Sequence, residues 1–197
     1  MGPWRSEWVD AMTPPLARFP RAEADADAAR ALPWRLGAML LALGVFVSLT
    51  TAGRVVPAHV LGTAAMWSFL PALQALALRV ALAAGRAEGA FRPALSRYYA
   101  GHGPWYALLL ATAGVCLFAP EVGKTFRWLL GAGVLPAALL VTLVWGGAVQ
   151  VALLRSLCPS RGRTALAAAA FYATLGGCIA GWYVAAGALL PLFGVFL

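Results

Sequence analysis

Two histidines, His59 and His102, have the widest chemical range of the side chains in this chain, because imidazole ligates haem iron, zinc and chlorophyll. His59 opens the second apolar stretch of the sequence and His102 opens the third. Successive membrane helices run in opposite directions, so we expect these residues to lie a membrane thickness apart and not to share one iron. Each is a candidate ligand for its own haem or chlorophyll. The alternative is a hydrogen-bonding histidine at the membrane interface.

Other catalytic and cofactor motifs are missing from the sequence. The three cysteines show neither CxxC nor CxxCH spacing, which argues against zinc, iron–sulfur and c-type haem sites. No nucleophile elbow, Walker loop, HExxH motif or dinucleotide fingerprint occurs. Ser96 and Ser160 have no histidine placed to activate them. We therefore expect a protein that is not an enzyme and that holds neither a metal nor another cofactor.

Two glutamines, Gln74 and Gln150, lie inside apolar stretches, and we expect both toward the cytoplasmic leaflet. A hydrogen bond between them would join two helices. The sharper alternative is a polar pocket for a transported solute. Pro71 and Pro136 are expected to kink the same two stretches, as prolines do in transporters and in ordinary membrane helices. No charged side chain is expected at mid-depth, which argues against proton-coupled or sodium-coupled transport.

Five apolar stretches must position these side chains. The chain is 62% hydrophobic and 11% charged, whereas a soluble domain carries roughly 25% charged residues. Each stretch approaches the ~20 residues that a helix needs to cross a ~30 Å hydrocarbon layer, and a helix satisfies its own backbone groups in lipid. The predicted fold is an all-α, polytopic transmembrane bundle with five spans, at about 36–53, 56–78, 103–119, 128–154 and 164–186.

Basic residues orient this bundle. Twelve lie before span 1, between spans 2 and 3 and between spans 4 and 5, whereas three lie in the other two joints. The positive-inside rule then places the N-terminus in the cytoplasm and the C-terminus outside. These joints account for the net charge of +8, so we expect no nucleic-acid partner. Lysine and isoleucine occur once each and asparagine not at all, which indicates a GC-rich genome and a bacterial cytoplasmic (inner) membrane.

The chain divides into an N-terminal segment, residues 1–35, and a transmembrane domain, residues 36–197. The N-terminal segment holds five of the seven acidic residues and is expected in the cytoplasm or at the interface. Within it, residues 21–32 are expected to form a short helix. The apolar tail, residues 187–197, is too short to span again, so it should lie along the interface or fold back onto the bundle.

Small residues mark the predicted helix contacts. Gly177 and Gly181 form a GxxxG pair in span 5, and Gly146 and Gly147 give span 4 a similar smooth surface. Small residues let two membrane helices approach closely. We therefore expect spans 4 and 5 to pack together, and we leave open whether span 5 also contacts another subunit.

Two joints carry a family resemblance. Residues 85–98 read Gly-Arg-Ala-Glu-Gly-Ala-Phe-Arg-Pro-Ala-Leu-Ser-Arg-Tyr, and residues 155–165 form a second basic joint in which an alanine opens the last helix. Together with the predicted topology, they resemble bacterial members of the Yip family, the Rab-interacting five-span membrane proteins. The eukaryotic signature between spans 1 and 2 is not visible, so Rab binding does not carry over. The resemblance implies a non-enzymatic membrane protein.

The sequence favours a non-enzymatic integral membrane protein with a structural, assembly or membrane-organising role, as an accessory subunit of a larger membrane complex. Its expected partners are the lipid bilayer and either other membrane subunits or further copies of itself. Two alternatives stay open. One is a small permease or channel that uses Gln74 and Gln150, and the other is a pigment- or haem-binding subunit of an energy-converting membrane complex that uses His59 or His102.

Overall fold

The fold of this chain, given by a computed structural model, is described for residues 25–118, residue 128 and residues 131–189. These ranges are helical and contain no strand. Their helices are α1 (Asp25–Ala52), α2 (Pro57–Met66), α3 (Phe69–Gly85), α4 (Phe91–Ala100), α5 (Gly103–Phe118), α6 (Val134–Leu157) and α7 (Arg161–Leu189).

Four helical stretches in these ranges are long and apolar enough to cross a membrane: Ala26–Ala52, Pro57–Gly85, Val134–Leu157 and Arg161–Ala185. The prediction of an all-helical membrane protein is therefore confirmed. The first stretch differs from the prediction, because α1 runs unbroken from Asp25 through Pro33 into the apolar region. Alanine, leucine and arginine dominate its first turns, and all three favour helix. Residues 1–24 of the predicted N-terminal segment and residues 190–197 of the predicted tail lie outside the described residues.

The second stretch contains the break expected at Pro71. This proline has no N–H to donate to the carbonyl four residues earlier, that of Trp67. The chain compensates with a tighter turn, in which the Leu70 N–H donates to the Trp67 carbonyl at 3.0 Å. The stretch is therefore divided into α2 and α3 at this point.

A second break lies between α4 and α5, four residues before Pro104. Backbone hydrogen bonds continue across it, since the His102 N–H donates to the Tyr99 carbonyl at 3.1 Å and the Tyr106 N–H to the His102 carbonyl at 3.0 Å. One turn thus joins α4 directly to α5. The hydropathy pattern predicts a span that begins at residue 103 and a loop before it, because residues 91–100 carry two arginines and little apolar surface.

Pro136 does not kink α6, contrary to the prediction. It is the third residue of that helix. In the first turn of a helix no backbone donor is required, so a proline is accommodated there without bending.

The core lies where α4 meets the long helices. It includes Leu78 of α3, Tyr98 and Tyr99 of α4, Leu153 of α6 and Phe171 of α7, each at most 3% exposed. Helix α7 packs mainly against α3, whereas α1 packs against α2, α4 and α5. The predicted joint between spans 2 and 3 therefore supplies a central helix of the bundle.

Glycines allow two close approaches between helices. A Cβ atom on Gly44 of α1 would lie 2.5 Å from the Val60 carbonyl oxygen of α2. A Cβ atom on Gly85 would lie 2.6 Å from the Cys158 Sγ and 2.9 Å from the Ala167 Cβ. Backbone cannot move aside as a flexible side chain can, so the contact at Gly44 tolerates no side chain.

We expect Gly44→Ala to lower the free energy of unfolding by ~1–3 kcal/mol, because the added methyl group meets backbone atoms of α2. The matched control is Gly37→Ala in the same helix, where a Cβ meets nothing within 4 Å. Alanine favours helix over glycine by ~0.5–1 kcal/mol, so the control should be neutral or slightly stabilising. Thermal unfolding in detergent measures both, and equal midpoints would contradict this packing of α1 on α2.

Candidate functional site

Helix α4 carries the side chains at the centre of the candidate site. Its Arg92 is exposed, while Leu95, Tyr98 and Tyr99 are buried. Positions three and four apart share one face of a helix, so Leu95, Tyr98 and Tyr99 form a face that points into the bundle. Arg92 lies in the first turn of α4 and is exposed at that end of the helix. His102 follows in the turn toward α5 and is 7% exposed.

His102 is held by two contacts. Its Nδ1 lies 3.0 Å from the Tyr98 carbonyl oxygen, and its Nε2 lies 3.5 Å from the Gln74 Nε2. Because a carbonyl only accepts, Nδ1 carries the proton and donates. In the neutral ring Nε2 is then an acceptor, and it faces the amide N–H of Gln74 at the outer limit of hydrogen-bond distance.

The other polar atom of this amide has no partner among the described residues. The Gln74 Oε1 is buried and accepts no hydrogen bond there. Leaving a buried acceptor unpaired costs ~1–3 kcal/mol. A water molecule or a polar solute that donates a hydrogen bond would offset this cost, so Gln74 is a position with unused capacity to accept a hydrogen bond.

Gln150 belongs to the same region but does not contact Gln74. Its Oε1 accepts a hydrogen bond of 2.8 Å from the Tyr172 hydroxyl of α7. Its Nε2 lies 3.5 Å from the Tyr98 hydroxyl of α4. The predicted glutamine pair is thus replaced by a chain of contacts. We call these residues the polar cluster: Gln74, Tyr98, His102, Gln150 and Tyr172.

A buried cation lies near this cluster. The Arg35 guanidinium of α1 is 6% exposed and donates a 2.6 Å hydrogen bond to the Ser96 hydroxyl of α4. Arg35 is one of the basic residues before span 1 that were expected on the cytoplasmic side, and its burial does not change that expectation. A long charged side chain is accepted in the interior where a polar group of a neighbouring helix meets it. That no charge lies at mid-depth of a span stays a prediction.

His59 lies apart from the polar cluster. It is exposed in the first turn of α2. His102 contacts Gln74, which lies 15 residues further along the α2–α3 stretch, or roughly 20 Å of helix. The two histidines therefore cannot ligate one iron. Because Gln74 faces the free Nε2 of His102, a haem at this ring would have to displace that side chain.

Among the residues that the structure describes, no three His, Cys, Asp or Glu side chains lie close enough together to hold a metal ion. Cys158 is outside the spanning stretches and packs against Gly85. Burial raises the pKa of the Cys158 thiol, so this group stays protonated and is a weaker nucleophile at neutral pH.

The predicted packing glycines have different roles. A Cβ atom on Gly146 would lie 3.1 Å from the Trp105 Nε1 of α5, and a Cβ atom on Gly147 would lie 3.2 Å from the Tyr172 hydroxyl oxygen of α7. At Gly177 and Gly181 a Cβ would meet nothing within 4 Å. Only Gly147 therefore serves the predicted contact between spans 4 and 5. Both glycines are exposed, so among the described residues the GxxxG pair faces outward.

Sequence reasoning identified Gln74, Gln150 and His102 individually but missed Tyr98, which brings them together. Because Tyr98 lies in a stretch with two arginines, hydropathy predicts a joint at the membrane surface there and not a buried side chain. The available signal was the spacing of Tyr98 and His102, four residues apart, which places both on one face of a helix.

Comparison with known proteins adds no assignment to this geometry. No family model, no curated protein and no solved structure matches the chain.

We expect Tyr99→Phe to lower the free energy of unfolding by ~0.5–1.5 kcal/mol, because the Tyr99 hydroxyl donates a 2.9 Å hydrogen bond to the Pro71 carbonyl. Thermal unfolding of the purified chain measures the loss. The control is Tyr183→Phe, which removes the same hydroxyl from a ring that is 64% exposed. A larger effect at Tyr183 than at Tyr99 would contradict the bond between α3 and α4.

Proposed function

We propose that this chain is a non-enzymatic integral protein of a bacterial cytoplasmic membrane, in which it acts as an accessory or assembly subunit. The proposal requires five spans. Helix α5 has 16 residues and by itself covers only ~24 Å. Together with α4, the path from Phe91 to Phe118 measures roughly 40 Å, so α4 and α5 supply the remaining crossing.

Charge supports one orientation of these spans. The exposed arginines 86, 92, 155 and 161 belong to the joints that follow α3 and α6. The positive-inside rule places those joints in the cytoplasm and the C-terminus outside. The resemblance to the Yip family is in keeping with this topology and with a role that needs no catalytic group.

The observation that supports an accessory role is the exposed small-residue face of α7 at Gly177 and Gly181. Gly177 and Gly181 are exposed, and the space above both is open. Within the described part of the chain the polar side chains of the core join helices to one another, whereas no described helix packs over Gly177 or Gly181. In lipid, such a face is the surface on which a second helix packs most closely. We therefore infer that α7 binds a helix of a partner subunit or of a second copy.

We expect Gly177→Leu to abolish this association, because the larger side chain keeps a second helix from close approach. The measurement is co-purification in mild detergent, followed by mass spectrometry of the associated chains and by native gel size. The matched control is Gly62→Leu, which places the same side chain over open space on α2. Thermal stability of the isolated chain should be the same for both variants.

The two variants are expected to differ in whether the partner is retained on purification. Loss of the partner from Gly177→Leu alone supports a contact at α7. A wild-type chain that purifies as a lone monomer, or a partner that stays bound to Gly177→Leu, contradicts it.

A small permease is the second candidate, and one specific observation favours it. The unpartnered Gln74 Oε1 lies beside His102, at the break between α4 and α5. The break between α2 and α3 is connected to the same place, since Tyr99 binds the Pro71 carbonyl. Interrupted helices that meet inside a bundle form the substrate sites of many transporters. On this hypothesis, a neutral polar solute donates a hydrogen bond to Gln74.

If the protein is a permease, Gln74→Leu should lower solute flux by at least about tenfold, because it removes the amide that receives the solute. Light scattering by proteoliposomes would follow the entry of glycerol and urea. The control is Thr142→Val, which removes a buried hydroxyl that bonds the Ala138 carbonyl of its own helix. Wild-type flux no faster than that of empty liposomes would eliminate this candidate.

A further inference from the structure

A groove opens between the ends of α6 and α7, away from the polar cluster. It encloses about 450 Å³, a volume typical of small-ligand sites. Two residues of α6 and four of α7 line it: Val151, Arg155, Arg161, Thr164, Ala165 and Ala168.

The mouth of the groove is positively charged. Arg155 and Arg161 are both exposed, and neither forms an ion pair with any other described residue. The joint from residue 155 to residue 164 contains no acidic side chain. Helix α7 begins at Arg161, so the positive end of its dipole adds to the charge of the guanidinium groups. Arg161 lies at the N-terminus of α7 and Arg155 in the last turn of α6, and neither has an acidic partner among the described residues. Such a pair of cations favours an anion with several acceptor oxygens.

The wall of the groove has the opposite character. Val151 and Ala165 are exposed and Ala168 is half-buried, and none of these side chains can form a hydrogen bond. Both helices are membrane-spanning stretches, and the groove lies where α6 ends and α7 begins. It is therefore at a membrane surface whichever way the chain is oriented. Guanidinium groups at the headgroup level beside an apolar wall match the polarity of a phospholipid.

We propose that this groove binds an anionic phospholipid, with its phosphate between Arg155 and Arg161 and an acyl chain along Ala165 and Ala168. A guanidinium donates two parallel hydrogen bonds to phosphate oxygens, which suits a phosphodiester. Free phosphate offers the same oxygens but would leave the apolar wall uncovered. The site involves a face of α7 other than Gly177 and Gly181, so it holds whether or not those glycines bind a partner.

Binding to the full chain in mild detergent tests the proposal. Microscale thermophoresis would compare phosphatidylglycerol, phosphatidylcholine and inorganic phosphate as probes. Phosphatidylglycerol should bind at least about tenfold more tightly than phosphatidylcholine, because the second probe carries a compensating cation. Inorganic phosphate at millimolar concentration should not displace phosphatidylglycerol.

Variants separate the groove from general surface charge. The double variant Arg155→Gln/Arg161→Gln should bind phosphatidylglycerol about 30-fold more weakly, since each basic residue near the surface contributes to anionic-lipid affinity. The control Arg92→Gln removes one exposed charge from α4, outside the groove, and should change affinity less than about threefold. Ala165→Phe keeps both arginines but places a large side chain in the groove, where it would exclude the acyl chain, so it should also weaken binding.

Three results would overturn the proposal. One is equal affinity for the two phospholipids. Another is a loss with Arg92→Gln as large as that with the double variant, which would indicate diffuse charge. The third is displacement of phosphatidylglycerol by inorganic phosphate together with unchanged binding to Ala165→Phe, which would assign the mouth of the groove to a free anion.

Discussion

The hydrogen bond from the Tyr99 hydroxyl to the Pro71 carbonyl connects the two places where the helices of this bundle are interrupted. In lipid, backbone groups that a helix does not satisfy must find partners within the protein. Pro71 and Pro104 each lack a backbone donor. Tight turns at Trp67–Ser68 and Gly101–His102 supply other backbone hydrogen bonds at these places. Tyr99 thus links α4 to α3, while α4 packs mainly against α1, and the core is arranged around α4.

Helix α4 is polar for a membrane helix, yet it occupies the centre of the bundle. Its Ser96 meets the Arg35 guanidinium, and its Tyr98 hydroxyl lies beside the Gln150 amide. Each contact joins α4 to a different long helix, so groups that would be costly in lipid become links between spans. The Gln74 Oε1 is the exception, since this buried acceptor has no partner among the described residues. The same arrangement that holds the helices together thus leaves one position suited to a polar solute.

The outer surface divides into faces of different character. The open glycines of α7 offer a smooth surface to another helix, whereas the groove beside Arg161 combines charge with a short apolar wall. Helix α7 packs mainly on α3 and only to a smaller extent on α6, so described helices leave both of these surfaces of α7 uncovered. An accessory subunit that binds a partner through α7 would therefore keep an anionic-lipid site on the neighbouring face of the same helix.

The sequence by itself determined the class of the protein and most of its long helices. Lipid imposes a length and an apolar composition that can be counted along the chain. The spans predicted in this way at about 128–154 and 164–186 overlap the stretches Val134–Leu157 and Arg161–Ala185 of the structure. It also identified Gln74, Gln150 and His102 as the polar residues of interest. Only the tertiary structure decided that Arg35 is interior, that Gly177 faces outward and that α4 is core rather than loop. The physical reason is that hydropathy measures transfer into lipid, whereas these side chains are surrounded by other helices, and which helices meet is a property of packing between distant residues.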